Sequence, residues 1–349
     1  MSRIRCVAMT LAVLAGMGLA GAGAVVGLGL YNVSAHAGHL PGVSWILHTT
    51  FRQSVKLRAP APEEVPPLDD PDLIALGAGH FASACAQCHT PPDAPRPATI
   101  RAMVPEPPPV VEAIADWQPQ HLHWIVENGV KMSGMPGWPV ESDGHGHGRA
   151  DEVWAVVAYL EAVRRGTGPE LPPAHLAASD PLAYCTSCHG PVGGVVPRLD
   201  IQTPGYLEAQ LDAYATGARP SGIMAQAASA VPRSAYADLA TALAGRDDPP
   251  SPPAADPDLI SKGEALAQRG TRDVPACAAC HMAGPDGVRK GPALAGQHSQ
   301  FLAGQLKLWR DEVLTQNRAM HLATEHLEDA EIDALAAYFA SLSPDGSGN

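Results

Sequence analysis

Apolar residues along this chain recur every three or four positions in one segment after another. Val153, Val157 and Leu160 share a face of a helix expected from Asp151 to Val163, and Ile332, Leu335 and Phe339 do the same from Glu328 to Leu342. Ser234 to Leu243 is a third segment of this kind. Tyr206–Leu211, extended by Tyr214, and Phe301–Leu306, extended by Trp309, keep the same spacing. Gln120 to Asn128 is shorter, with Gly129 placed to end it as a C-cap. No segment alternates apolar and polar residues with period two, so the expected fold is all-α.

The first segment is patterned differently. After Met1-Ser2-Arg3-Ile4-Arg5, the 26 residues from Cys6 to Tyr31 carry no charge and are rich in Leu, Val, Ala and Gly. As a helix this run spans about 39 Å, enough to cross a bilayer. A cleaved signal peptide is the competing reading, because Ala35-His36-Ala37 resembles an A-x-A cleavage site. The apolar run is long for a signal peptide, which favours a retained anchor, with the two arginines on the cytoplasmic side and everything from about Asn32 onward outside the cytoplasm. Leu47, Phe51 and Val55, with Arg52, Lys56 and Arg58 nearby, then describe an amphipathic basic helix. It lies either on the membrane surface or against the domain that follows. Ala59 to Pro71 reads as a stiff, acidic linker.

Two internal repeats divide the remainder. Asp70-Pro71-Asp72-Leu73-Ile74 returns as Asp256-Pro257-Asp258-Leu259-Ile260, each followed three residues later by a glycine, Gly77 or Gly263. Aspartate before proline starts a helix, the carboxylate capping it and proline taking its first position. Between them Asp180-Pro181 sits only a few residues before Cys185, so a short helix is expected there. Pro197-Arg198-Leu199 and Pro292-Ala293-Leu294 form the second repeat, each leading into one of the helices at Tyr206 and Phe301. Proline-rich joints at Gly166–Pro173 and Asp247–Pro257 mark boundaries. The expected organisation is a membrane segment at 1–59 and three domains at 60–166, 167–246 and 247–349.

Charge adds a constraint on partners. Residues 1–59 hold five basic and no acidic side chains, which leaves 18 basic against 36 acidic in the rest. So acidic a soluble part argues against nucleic acid and fits either docking to a basic partner or plain solubility.

Candidate chemistry sits in three pentapeptides, one per expected domain: Cys85-Ala86-Gln87-Cys88-His89, Cys185-Thr186-Ser187-Cys188-His189 and Cys277-Ala278-Ala279-Cys280-His281. In C-x-x-C-H two thiols one helical turn apart add to the vinyl groups of a haem, and the histidine ligates its iron. Redox dithiols and zinc sites share the C-x-x-C spacing, but the histidine and the threefold recurrence favour three covalently bound haems c. Six of the seven cysteines are used in this way, and Cys6 lies apart. Domains this small bury little apolar surface alone, so a buried porphyrin would also complete each core.

A sixth ligand to iron closes a site that carries electrons, and methionine is the usual one. Met135, Met224 and Met320 each lie between the middle and final helices of a domain, in stretches read as irregular loops. Met132 competes with Met135, although Gly134-Met135-Pro136-Gly137-Trp138 favours the latter, and His321 or His326 leaves a bis-histidine alternative open in the last domain. Met282, next to the third pentapeptide, is on the wrong face. Gly144-His145-Gly146-His147-Gly148 is read as a solvated loop rather than a metal site.

These motifs carry a family resemblance. Residues 178–342 resemble the dihaem cytochromes of the c4 family, through the pentapeptides, the Pro-x-Leu loop, Tyr/Phe-Leu-x-x-Gln-Leu, Gly222-Ile223-Met224-Ala225 and Leu335-Ala336-Ala337-Tyr338-Phe339. Residues 70–163 resemble a single-haem class I cytochrome c, through Trp124 to Trp138 and Trp154 to Leu160. Asn317-Arg318-Ala319-Met320-His321-Leu322 departs from the Met-Ala-Pro-like loop of that family.

The resemblance implies three tandem class I cytochrome c domains in which a loop proline carbonyl accepts a hydrogen bond from the proximal histidine. That role transfers to Pro197 and Pro292, whereas the prolines from Pro91 to Pro109 leave the first domain's equivalent open. The implied protein is an electron carrier and no enzyme, so no catalytic residue is assigned. It would sit on the periplasmic side of the cytoplasmic membrane and pass electrons from a dehydrogenase or quinol-oxidising complex to a terminal oxidase or soluble carrier of a respiratory chain. A dihaem peroxidase with one open iron is the alternative; a methionine in every domain argues against it.

Overall fold

Every regular element among the described residues is a helix, in agreement with the all-α expectation. The computed structural model describes residues 3–34, 36–92, 94–131, 133–139, 148–172, 176–246, 256–282 and 289–344. Ala35, Met132, the histidine loop up to His147, Pro173 and the joint from Asp247 to Ala255 lie outside them. The chain forms two units, Met1–Ser54 with Pro97–Glu106, and Val55–Arg96 with Pro107–Asn349.

In the first unit α1 (Arg3–Gly27) follows the uncharged run, is wholly exposed, and is long and apolar enough to cross a membrane. A signal sequence has the same character. Helix α2 (Val43–Arg58) begins in this unit, where Trp45, Ile46 and Leu47 are exposed, and ends in the second, where Val55 is fully buried. Within the second unit Val55 is thus the buried residue of this helix, and Lys56, Leu57 and Arg58 after it are exposed.

All three pentapeptides lie in the second unit, each within its own set of helices. The first set begins with α3 (Pro71–His80), whose Asp70 cap accepts the N–H groups of Asp72 and Leu73 at 2.9 and 3.4 Å. After the short α4 (Ala98–Arg101) of the first unit come α5 (Val110–Ile114), α6 (Pro119–Asn128) and α7 (Ala150–Arg164). Gly129 ends α6 at φ 65°, as its C-cap reading requires. Helix α7 crosses α3 where Gly77 lies against the Ala155 carbonyl, too close to admit a side chain. Phe81 and Tyr159 pack beside the crossing with ring centroids 5.0 Å apart.

The last set repeats this crossing. There the helix Pro257–Arg269 meets the closing helix Asp329–Ser341 where Gly263 faces the Ala334 carbonyl. Between the two lies the middle set: α8 (Leu176–Ser179), α9 (Pro181–Thr186), α10 (Pro204–Ala215), α11 (Gly222–Ser229) and α12 (Tyr236–Ala244). Asp180 caps α9 through the N–H of Ala183 at 3.0 Å, and α9 stays short as the Asp-Pro position predicts. Two small apolar clusters stand in for a larger core here, Leu207 with Ala240 and Leu243, and Val231 with Tyr236 and Leu239.

The last set comprises α13 (Pro257–Arg269), α14 (Ala278–His281), α15 (Ser299–Arg310), α16 (Arg318–Thr324) and α17 (Asp329–Ser341). Asp256 caps α13 through Asp258 N–H at 2.9 Å. Leu266, Leu302, Ile332, Leu335 and Phe339 form its core, each contributing roughly 1.5–3 kcal/mol by leaving water.

Candidate haem-binding sites

Each pentapeptide forms one helical turn. The N–H of His89 donates to the Cys85 carbonyl at 2.8 Å, that of His189 to Cys185 at 3.1 Å, and that of His281 to Cys277 at 3.1 Å. Two cysteines three positions apart on such a turn point to the same side. No cysteine is in a disulfide, and Cys6, the one outside the motifs, is exposed on α1.

The three histidines share a second contact. Nδ1 of His89 lies 2.9 Å from the Pro108 carbonyl, that of His189 3.0 Å from Pro197 and that of His281 3.0 Å from Pro292. A carbonyl only accepts, so Nδ1 carries the proton and Nε2 keeps the lone pair that a metal takes. The bonds to Pro197 and Pro292 are those expected, and Pro108 fills the place left open in the first set. Gly291 explains how the loop comes so near: a Cβ there would stand 2.8 Å from Cε1 and 2.9 Å from Nδ1 of His281.

Thiol chemistry separates this arrangement from its rivals. Burial, with the neighbouring Cys88, pushes the Cys85 thiol up to about 12, and burial with Cys188 pushes Cys185 up to about 11. A redox dithiol needs a depressed thiol pKa, and these are raised. Among the described residues no three His, Cys, Asp or Glu side chains converge as a metal cluster. Paired thiols on one face and an imidazole with fixed Nε2 fit covalent haem instead.

The three methionines are positioned by different means. Met135 lies half-buried in a loop folded back on α6: its carbonyl accepts from Val130 N–H at 3.2 Å, and Trp138 N–H reaches the Glu127 carbonyl at 2.8 Å. Met224 and Met320 correct the loop expectation, because they occupy the first turns of α11 and α16. Helix caps are the reason. Ser221 Oγ accepts the N–H of Met224 at 3.0 Å, and Asn317 Oδ1 accepts those of Ala319 and Met320 at 3.0 and 3.3 Å. Both signals are in the sequence, as Ser or Asn three residues before each methionine.

The rival ligand His321 is engaged at both ring nitrogens, Nδ1 with the Trp309 carbonyl at 3.2 Å and Nε2 with Glu312 at 3.3 Å. Met282 packs on the core of the last set, its sulfur 3.8 Å from Gln268 Nε2.

One buried network escaped the sequence reading. Glu152 of α7 accepts the N–H groups of Gly222 and Ile223 at 2.7 and 3.1 Å and the hydroxyl of Ser221, and pairs with Arg149 at 2.7 Å. Burial raises its carboxyl pKa, with Arg149 pulling the other way. A carboxylate from the first set therefore caps the helix that carries Met224 in the middle one. An acidic residue in the first turn of a helix gave no hint of this, since most such residues face water.

Comparison with known proteins finds c-type cytochromes. The family model of cytochrome c oxidase, cbb3-type, subunit III matches residues 72–160, and that of cytochrome c matches residues 260–343. The middle pentapeptide lies between these two matches. A thiosulfate dehydrogenase electron acceptor from Thiomonas intermedia (strain K12) is 35% identical over 188 residues, covering 49% of this chain and 86% of that protein. Another from Stutzerimonas stutzeri (strain A1501) is 34% identical over 177 residues, 45% of this chain and 78% of that protein. Cytochrome c4 of Thiocapsa roseopersicina is 35% identical over 172 residues, 46% of this chain and 87% of that protein.

Proposed function

Because the chain belongs to the multidomain c-type cytochromes, we propose that it is an electron carrier with three covalently held haems, one in each of the domains 60–166, 167–246 and 247–349. The observation that carries this reading is the threefold recurrence of one constellation, a one-turn C-x-x-C-H whose histidine donates from Nδ1 to a proline carbonyl. Cys85 with Cys88, Cys185 with Cys188 and Cys277 with Cys280 supply the thioether sulfurs, and His89, His189 and His281 the proximal nitrogens. Met135, Met224 and Met320 would supply the second protein ligand to each iron. Bound haem c supplies reversible one-electron chemistry. The chain's own part would be to hold the histidine and methionine of each site in place, so that little rearranges when the charge changes, and to exclude other ligands.

In this reading α1 is retained as a membrane anchor, with the acidic domains on the periplasmic side. The donor is a periplasmic dehydrogenase, of the kind recorded in the names of the thiosulfate dehydrogenase electron acceptors, and the acceptor is a terminal oxidase or a soluble carrier. The negative balance beyond residue 59 supports docking to basic partner surfaces.

Matured protein should contain three haems per chain by mass, and two or fewer overturns the count. Reduced wild-type protein should leave carbon monoxide unbound, and stoichiometric binding at one haem overturns the carrier reading. Each of Met135→Ala, Met224→Ala and Met320→Ala should open one site and remove about a third of the methionine-to-iron charge-transfer absorption. Carbonate-washed membranes should retain the protein; a soluble form beginning at Gly38 means that the segment is cleaved.

A further inference from the structure

Two glutamines join the middle and last sets in a crossed pattern. Gln297 Oε1 accepts the N–H of Arg198 at 2.9 Å while its Nε2 donates to the Arg198 carbonyl at 3.1 Å. Gln202 does the same in the other direction, with Oε1 accepting the N–H of Ala293 at 3.0 Å and Nε2 donating to its carbonyl at 2.9 Å. Each glutamine follows a histidine-binding proline by five residues, and each clasped residue follows the opposite proline by one. The contact is thus isologous within a single chain, residue i meeting j and the equivalent of j meeting the equivalent of i. Gln297 is 2% exposed and Arg198 6%, so water does not compete there.

The clasped N–H groups belong to particular peptide bonds. Pro197 C=O and Arg198 N–H are the two ends of one peptide group, which accepts a hydrogen bond from Nδ1–H of His189 at its oxygen and donates one from its N–H to Gln297 Oε1. Pro292 C=O and Ala293 N–H link His281 to Gln202 in the same manner. Resonance couples the ends of a peptide group, so a good acceptor on the N–H makes the carbonyl a better acceptor. A stronger pull on Nδ1–H makes the imidazole more electron-donating, which favours the ferric state.

We propose that Gln202 and Gln297 are crossed positioning residues: Gln297 in the last segment tunes the reduction potential at His189, and Gln202 in the middle segment tunes that at His281. This inference rests on the reading of His189 and His281 as iron ligands. It gives a physical route by which the two sites influence each other without sharing a ligand.

The test is Gln297→Met and Gln202→Met, which keep side-chain volume and remove the amide. Potentials are followed site by site in an NMR-monitored redox titration of the full-length protein, with haem content and thermal unfolding recorded alongside. In Gln297→Met the potential at His189 should rise, with the ferric-to-ferrous ratio shifting about threefold, about 30 mV at 59 mV per tenfold. Its Nδ1–H resonance should move with it, while the His281 site holds still. Gln202→Met should give the reverse assignment. Gln297→Glu, which retains an acceptor for Arg198 N–H, should not raise the potential at His189. A shift at the variant's own site, an equal shift at both, or none at either, with haem content intact, overturns the inference. Missing haem in the wild type instead overturns the reading on which it rests.

Discussion

Glu152 accepts the backbone N–H of Gly222 at 2.7 Å across 70 residues of sequence, and through it the first helical set holds the start of the helix bearing Met224. Glu152→Ala leaves Arg149 buried with Asp151 as its remaining carboxylate partner, the latter at 2.9 Å and partly exposed. The expected loss is about 3 kcal/mol of unfolding free energy, at the low end for breaking a buried pair because that partner remains. Urea unfolding checks the magnitude, and loss of the charge-transfer absorption at the middle site checks the positioning. Asp151→Asn should cost under about 1 kcal/mol, because that carboxylate faces solvent and Glu152 still pairs with Arg149.

The two glycine crossings should be intolerant of a single methyl group. A Cβ at Gly77 would overlap the Ala155 carbonyl, and one at Gly263 the Ala334 carbonyl. Backbone on both sides leaves nothing flexible to yield, so Gly77→Ala and Gly263→Ala should each destabilise by about 2–3 kcal/mol. Gly304 in α15 has no neighbour within 4 Å of a Cβ, and Gly304→Ala should stabilise by about 0.5–1 kcal/mol through helix propensity. Chemical denaturation of the three variants decides it, and equal effects would show that helix propensity rather than close packing governs these positions.

Acid should weaken the fold through His80. Its ring is buried, 4.6 Å from that of Trp138, and burial brings its pKa down to about 4. The folded state thus prefers the neutral ring, and between about pH 6.5 and 4 the unfolded chain binds a proton that the folded chain refuses. Stability is flat with respect to this group above about pH 7 and falls by up to about 3 kcal/mol as pH drops through that window. His80→Phe should remove that part of the slope. Unfolding free energies of wild type and variant at pH 7 and 4.5 give the comparison, and parallel slopes would show that His80 is solvated.

What the sequence determined is what depends on neighbours within about four residues. A C-x-x-C-H turn forms from its own backbone, Asp70, Asp180 and Asp256 cap the helices that they precede, and Gly129 ends α6 because only glycine adopts its φ of 65° without strain. The repeated Gly77 and Gly263 were likewise visible, but not their purpose, since the carbonyls that they touch lie more than 70 residues away.

The tertiary structure decided which of many equivalent backbone groups does the work. Among the prolines near Pro91–Pro109 every carbonyl is chemically alike, and only folding brings that of Pro108 within 2.9 Å of His89. Glu152 has no distinguishing local pattern, and the repeated spacing of Gln202 and Gln297 after Pro197 and Pro292 does not name their partners. All three differ from other Glu and Gln residues because burial removes water as a competitor and leaves a backbone N–H 70 to 99 residues distant as the available partner.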